Sequence, residues 1–352
     1  MNKEVLWAGE LLAWFDGNKR ELPWRENKDP YRIWVSEIML QQTKVEAVKP
    51  YFYSWMEKFP TVEALAAAPE EEVLKAWQGL GYYQRAKNLH QAVQEVCVQY
   101  GGAIPAEKKA FQSLKGVGEY TAGAVTSIAF GKPEPAVDGN VLRIFARLYA
   151  IRSDILQART KKAITALVQQ QLPLDRPGDF NEALMDLGAG ICIPKAPRCE
   201  NCPLDFCCES RRLGLETELP VRKKKGEVPV YHITAVILEN DGMYLLHRRP
   251  DTGLLASMWE FPAVRTDTKE EGKEALKELL NEAGVSVRFS DSAPLALSHV
   301  FSHQKWLMQA FFGHTDRRDV LDETGSWRWL SREEFTSVPW AGPHGKLAGK
   351  VR

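Results

Sequence analysis

Five of the six cysteines in this chain stand in one short stretch, CIPKAPRCENCPLDFCC, as Cys192, Cys199, Cys202, Cys207 and Cys208. Scattered pairs would suit the disulfides of a secreted protein, whereas thiols crowded this tightly suit the ligands of one metal centre. Cys192, Cys199, Cys202 and Cys208 give the spacing C-x6-C-x2-C-x5-C, four thiolates joined by loops short enough to wrap a single compact group. Zinc takes four such ligands and so does a cubane iron-sulfur cluster, so the spacing alone does not separate them. Pro194, Pro197 and Pro203 stiffen the loops, and Lys195 and Arg198 set positive charge where a phosphate backbone could meet it. Cys97 lies far away and reads as core filler, and Cys207 is left without a role.

At 352 residues the chain exceeds the size at which one hydrophobic core keeps growing, so two domains are expected. No apolar run reaches the roughly 18 residues of a membrane span. The start MNKEVLWAGELLAWF carries acids where a secretory signal would not, so a cytoplasmic setting without a membrane partner is expected. Formal charge is zero, with 46 basic residues against 46 acidic. That balance hides a gradient, because residues 81–170 hold 12 Lys+Arg against 6 Asp+Glu while residues 1–80 hold 10 against 13. The basic excess surrounds LKGVGEYTA, residues 114–122, where it could meet phosphates.

In that stretch Gly116 and Gly118 punctuate two helix-compatible segments, AEKKAFQSL and TAGAVTSIAF. Glycine permits positive φ and close backbone approach, so the first N–H groups of the second helix can face an anion, with Lys115 adding a cation. An ordinary interhelical turn would use the same residues. Twenty residues on, Asp138, Gly139 and Asn140 in PAVDGNVLRIFARL open another amphipathic helix. Near the N-terminus, Asp29 and Pro30 can cap and start an apolar helix, DPYRIWVSEIMLQQT, that carries Glu37 and Gln41 one turn apart. A carboxylate on such a helix is costly to bury, so Glu37 either pairs with Arg25 or Arg32 or serves as an acid.

Taken together, L-x-G-V-G, an aspartate about twenty residues on, and the four-cysteine spacing resemble the endonuclease III superfamily of DNA glycosylases. The resemblance implies an all-α catalytic region, a helix-hairpin-helix (Lys115, Gly116, Val117, Gly118) gripping DNA, and a [4Fe-4S] cluster on Cys192, Cys199, Cys202 and Cys208. In the members that also cut the strand, a lysine occupies the position of Tyr120. A phenol cannot form a Schiff base, so base removal without strand scission is expected. WVSEIMLQQT with LPWR, GLGYY, VDGNV and FNEALMDLGA resembles the MutY-type adenine DNA glycosylases over residues 1–220. That resemblance implies removal of adenine opposite 8-oxoguanine, or more weakly guanine, in duplex DNA by a monomer near the nucleoid.

The family chemistry assigns Glu37 as the acid that protonates adenine and Asp138 as the group that stabilises the sugar cation, with Tyr120 and Asn140 in support. A raised pKa is expected for Glu37 and an ionised carboxylate for Asp138 at a helix N-terminus. Glu182 and Arg25 are placed beside the adenine. The same resemblance makes Gln42 and Tyr82 the residues that enter the helix near the lesion, with Thr43 and Leu80 close by.

Around Pro220 the sequence turns into the basic, proline-bounded tract PVRKKKGEVPV, which reads as a linker against DNA. Beyond it, YHITAVILENDGMYLLHRR gives two strands around Asn240-Asp241-Gly242, and KEEGKEALKELLNEAGV gives a helix. The expected organisation is a glycosylase domain over residues 1–220, with its cluster loop at about 190–210, a linker over 221–229, and an α+β domain over 230–352. GLLASMWEFP and KELLNEAGV resemble the Nudix fold, but Lys277 to Gly284 lacks part of the usual R-E-x-x-E-E-x-G box, so pyrophosphate hydrolysis is not expected. HVFSHQKW matches the family's 8-oxoguanine recognition loop through Phe301, Ser302 and His303. The competing readings are an endonuclease III-type glycosylase-lyase acting on oxidised pyrimidines and a lesion binder without turnover.

Overall fold

A computed structural model describes residues 7–223, 226–320, 322 and 324–351. Lys224 and Lys225 of the basic linker lie outside the described residues. The chain divides into two compact units, one of Met1–Ala67 with Asn88–Lys224 and one of Ala68–Lys87 with Lys225–Arg352.

The first unit is helical. Its leading helices are α1 (Ala8–Asn18), α2 (Pro30–Leu40), α3 (Val45–Lys58) and α4 (Val62–Ala67). The second unit holds α5 (Glu70–Ala76) and the first turn of α6 (Gln84–Tyr100), whose remaining turns return to the first unit. There follow α7 (Lys108–Gln112), α8 (Glu119–Phe130), α9 (Gly139–Leu148), α10 (Ala158–Gln171), α11 (Pro177–Gly190) and α12 (Glu209–Leu213).

Helix α2 starts as its sequence requires: Asp29 Oδ1 accepts the N–H groups of Tyr31 at 2.8 Å and Arg32 at 3.4 Å, and Pro30 occupies the first turn. It ends at Leu40, so Gln41 is the C-cap and not a helical neighbour of Glu37, contrary to the expectation from sequence. Tyr31 and the run Ile33–Met39 are buried, which places Glu37 inside the unit. Beside the cysteine-rich loop, Leu11, Leu12 and Phe15 of α1 pack with Phe145 of α9 and Leu184 of α11 in one core. Cys192, Cys202, Cys207 and Cys208 lie against that same core.

The second unit carries an eight-stranded sheet. Its strands are β1 (Val230–Asn240), β2 (Met243–Arg248), β3 (Trp259–Glu260), β4 (Ala263–Thr266), β5 (Arg288–Phe289), β6 (Leu295–Val300), β7 (Lys305–His314) and β8 (Trp327–Ser331). The turn read from the sequence as Asn240-Asp241-Gly242 is the two-residue Asp241-Gly242, both at positive φ (45° and 74°), with Asn240 still in β1 opposite Met243. The centre is a parallel pair of β1 and β7, with Val230 beside Lys305 and Glu239 beside His314. The other pairings are antiparallel. Helix α13 (Gly272–Glu282) shares a core with Val236, Leu238 and Leu245 on one face of the sheet. Helix α14 (Gly342–Ala348) belongs to a separate core with Ile233, Ile237 and Trp340.

Candidate active site

Glu37, on the buried helix α2, faces the first turn of α8. There the Tyr120 hydroxyl donates to Glu37 Oε2 at 2.6 Å, with Met185 Sδ at 4.0 Å from the same hydroxyl. The arginines that could have paired with Glu37 are engaged elsewhere: Arg25 with Glu182 and Asp186, and Arg32 with Glu26. Burial pushes the Glu37 carboxyl up to about 7, opposed by the Tyr120 hydrogen bond and reinforced by the charges of Asp138 and Glu182. Burial and the neighbouring carboxylates likewise hold the Tyr120 phenol well above its ordinary range.

Asp138 is the N-cap of α9. Its Oδ1 accepts the N–H groups of Asn140 and Val141, each at 2.8 Å, and its Oδ2 accepts the Asn140 side-chain amide at 2.8 Å. Those donors favour the carboxylate, yet burial outweighs them and raises the group above the usual aspartate value. The capping role and proximity to Glu37 thus coincide in one residue. Asn140 Oδ1 in turn accepts from Arg143 Nη2 at 2.9 Å, and Arg143 Nε donates to the Cys192 carbonyl at 2.7 Å. Arg147, one turn on, donates to the carbonyls of Ile193 and Pro194 and stands 3.3 Å from Cys192 Sγ. The amphipathic pattern of α9 shows its helix but not that these two arginines turn inward to hold a loop some 45 residues away.

Glu182 sits 2.6 Å from Arg25 Nε, and Arg25 Nη1 reaches Asp186 at 2.8 Å. Burial raises the Glu182 carboxyl despite Arg25, while Asp186, also burdened by burial, is pulled below the usual range by its bonds to Arg25 and Arg20. Arg20 and Asp186 were not singled out in the sequence, because nothing local links residues 166 positions apart. With Leu22, Trp24 and Phe15, Arg25 and Glu182 line an open cleft in the helical unit.

The hairpin connects α7 to α8. Gly116 takes φ 74°, and a Cβ there would meet the Asn88 side chain at 2.6 Å. Gly118 is the N-cap of α8 at φ −87°, with open space around its missing Cβ and no side-chain cap on the helix. Lys115 is exposed and Val117 is buried beneath. The α8 N-terminus is therefore presented outward with a cation beside it, the geometry that receives a phosphate.

One cavity in the helical unit is lined by Cys192, Cys199, Cys202 and Cys208, together with Arg147 and Leu204; Cys207 is absent from its walls. Gln42 follows α2 at φ 58° and is exposed, with Thr43 half-buried beside it. In the other unit, Tyr82 has φ 49° and is exposed, whereas Leu80 is buried. Phe301, Ser302 and His303 form the tip between β6 and β7, where Phe301 N–H donates to the Gln304 carbonyl and its ring lies edge-on to Trp306 at 4.9 Å. Ser302 and His303 are exposed.

Residues 35–170 match the HhH-GPD superfamily of base excision DNA repair proteins, and residues 233–350 match the NUDIX domain. The human adenine DNA glycosylase is 35% identical over 93% of this chain and 70% of its own length. The chain belongs to the adenine DNA glycosylase family. The family member of Schizosaccharomyces pombe is 30% identical over 93% of this chain and 85% of its own. Among solved structures, a thermostable thymine-DNA glycosylase aligns at TM-score 0.54 with 33% identity, over 58% of this chain and 95% of that one. A trapped endonuclease III–DNA covalent intermediate aligns at TM-score 0.50 with 25% identity, over 59% of this chain and 95% of that one. Family membership makes the protein a DNA glycosylase of base excision repair, built from a helical glycosylase domain and a Nudix-like domain.

Proposed function

We propose that the chain hydrolyses the N-glycosidic bond of adenine mispaired with 8-oxoguanine, or with guanine, in duplex DNA and leaves the strand intact. The observation that carries this reading is the burial of Glu37 beside the Tyr120 hydroxyl. Adenine leaves poorly as an anion, so a proton must reach its ring as the bond to the sugar weakens. A carboxyl held up to about 7 keeps that proton in about half of the molecules at neutral pH, and Oε1, the oxygen Tyr120 does not engage, can pass it to N7. The C1′–N9 bond then breaks with its electron pair going to the base, leaving an oxocarbenium-like sugar. Asp138, fixed by three N–H donors, stabilises that cation as a carboxylate and closes on C1′ until water displaces it with overall retention. Tyr120 offers no amine for a Schiff base, which favours base release alone.

The four cavity-lining thiols suit a [4Fe-4S] cluster. Zinc and a cubane cluster both take four such thiolates, and the resemblance to the endonuclease III superfamily, in which cysteines at this spacing hold an iron-sulfur group, favours the cluster. Its part is to brace the loop that Arg143 and Arg147 tie to α9.

For the opposite base, 8-oxoguanine differs from guanine in a carbonyl at C8 and a hydrogen on N7. An exposed hydroxyl such as Ser302, which both donates and accepts, can read that edge. Base release from duplexes with adenine opposite 8-oxoguanine, guanine or thymine, beside a thymine-glycol duplex, tests the reading. Release is expected from the first two alone. Release of thymine glycol with a borohydride-trapped protein-DNA adduct would establish a glycosylase-lyase instead.

A further inference from the structure

Ala68–Lys87 lies within the sequence matched by the glycosylase family yet forms one compact unit with the Nudix-like sheet. Its centre is the loop Trp77–Tyr83, which carries Tyr82. This loop is closed on itself: Trp77 Nε1 donates to the Gly81 carbonyl at 3.1 Å, the Gly79 N–H donates to the Tyr83 hydroxyl at 3.2 Å, and Arg85 Nη2 reaches the carbonyls of Leu80 and Gly81. Gly79, Gly81 and Tyr82 all take positive φ. A loop so tied moves as one piece, and what fixes its direction is how its two ends are held.

Each end is bonded to the Nudix-like domain, the downstream one within the first turn of α6. Upstream, Glu71 on α5 accepts from Trp259 Nε1 at 2.8 Å, with Arg328 Nη1 at 3.6 Å from the same oxygen. Lys75 Nζ donates to the Val338 carbonyl at 3.2 Å. Downstream, Lys87 is 5% exposed. Its ammonium meets Ser257 Oγ at 2.7 Å, the Asp251 carbonyl at 3.2 Å and Glu70 Oε1 at 3.3 Å. Burying an ammonium is costly unless it is hydrogen-bonded and paired, and here two hydrogen bonds and one carboxylate meet it. Ser257, which takes the sparsely populated φ of 62°, is itself held by Asp251 Oδ1 at 2.8 Å.

We propose that Glu71 and Lys87 are positioning residues through which the Nudix-like domain aims the Tyr82 loop at DNA. The inference rests on reading Tyr82 as a residue that enters the duplex. It makes the probe at Tyr82 and the reading loop at Phe301–His303 parts of one body, so that the domain contacting the oxidised base also sets the wedge that unstacks it.

The test uses the full chain on a duplex with 2-aminopurine beside 8-oxoguanine, read by fluorescence for unstacking and by single-turnover adenine release. Tyr82→Ala should remove the fluorescence rise. Glu71→Ala should diminish it and slow release about fivefold, the factor one net hydrogen bond carries, while Glu71→Gln, which keeps an acceptor for Trp259, stays within about twofold. Lys87→Met should resemble Glu71→Ala, and in a Tyr82→Ala background neither should add further loss. Because both Glu71 variants remove the charge, a general loss of stability would not separate them. Wild-type fluorescence in Glu71→Ala and Lys87→Met, or losses that multiply with Tyr82→Ala, would overturn the inference while leaving Tyr82 as a probe. An unchanged Tyr82→Ala would remove the probe reading and this inference with it.

Discussion

The Tyr120 hydroxyl donates to Glu37 Oε2 at 2.6 Å across 83 residues of sequence, joining the hairpin to the buried face of α2. The same turn that presents its N–H groups outward therefore delivers a phenol inward to the carboxyl. A lysine at this position would carry an amine into contact with Glu37. The phenol instead leaves the acid as the only group of the pair that titrates near neutrality.

In the proposed mechanism the protonated form of Glu37 is the active one, so single-turnover adenine release should fall as pH rises through about 7. The Tyr120 hydrogen bond favours the carboxylate and lowers that pKa. Tyr120→Phe should consequently move the alkaline limb to higher pH, whatever it does to the plateau. A pH–rate profile decides the matter, and a limb that stays in place or moves down would remove Tyr120 from control of the acid.

Much of this arrangement was legible in the sequence, for identifiable reasons. Asp29-Pro30 and Asp138-Gly139-Asn140 are local helix starts, and Asp241-Gly242 is a local turn, so short-range chemistry sufficed for them. Gln41 was misplaced because an apolar stretch does not mark where a helix stops. The Arg20–Asp186–Arg25 network and the Arg143 and Arg147 bonds to the cysteine-rich loop depend on partners far off in sequence. The joining of Ala68–Lys87 to the Nudix-like unit was hidden for a similar reason, since Glu71 and Lys87 look like ordinary surface charges until Trp259 and Ser257 meet them.

The two hairpin glycines should respond differently to alanine. At Gly116 the positive φ costs about 1–2 kcal/mol for any residue with a Cβ, and the Asn88 side chain must also give way. Gly116→Ala should lower stability in urea unfolding. Gly118→Ala meets neither obstacle, so its stability should match wild type while duplex affinity falls, because the added methyl stands where a phosphate would approach the α8 N-terminus. Equal duplex affinity in Gly118→Ala and wild type would deny the hairpin its part in DNA binding.

At the β6–β7 tip, Ser302 is exposed, whereas Phe301 packs against His299 and Trp306. Ser302→Ala should therefore leave thermal stability unchanged and narrow the ratio of adenine release opposite 8-oxoguanine to that opposite guanine, by the roughly five- to tenfold that a hydrogen bond or two can carry. The rate on adenine opposite guanine should barely move. A ratio equal to wild type would leave the tip without a part in recognition.

The fifth cysteine of the cluster gives the sharpest test of the metal assignment. Cys207 Sγ donates to the Leu204 carbonyl at 3.4 Å and does not line the cavity that the other four thiols share. If those four are the ligands, Cys207→Ser should retain the full iron content of the purified protein and Cys202→Ser should lose most of it. Loss of the group from Cys202→Ser would also release the loop that carries the Cys192 carbonyl, the acceptor for Arg143. Asn140 is held by the same Arg143, and Asp138 by Asn140. Base release should accordingly suffer more in Cys202→Ser than duplex binding, because the hairpin keeps its own contacts while Asp138 loses the side-chain bond from Asn140 and keeps only its two backbone donors. Equal iron in both variants would return Cys207 to the ligand set.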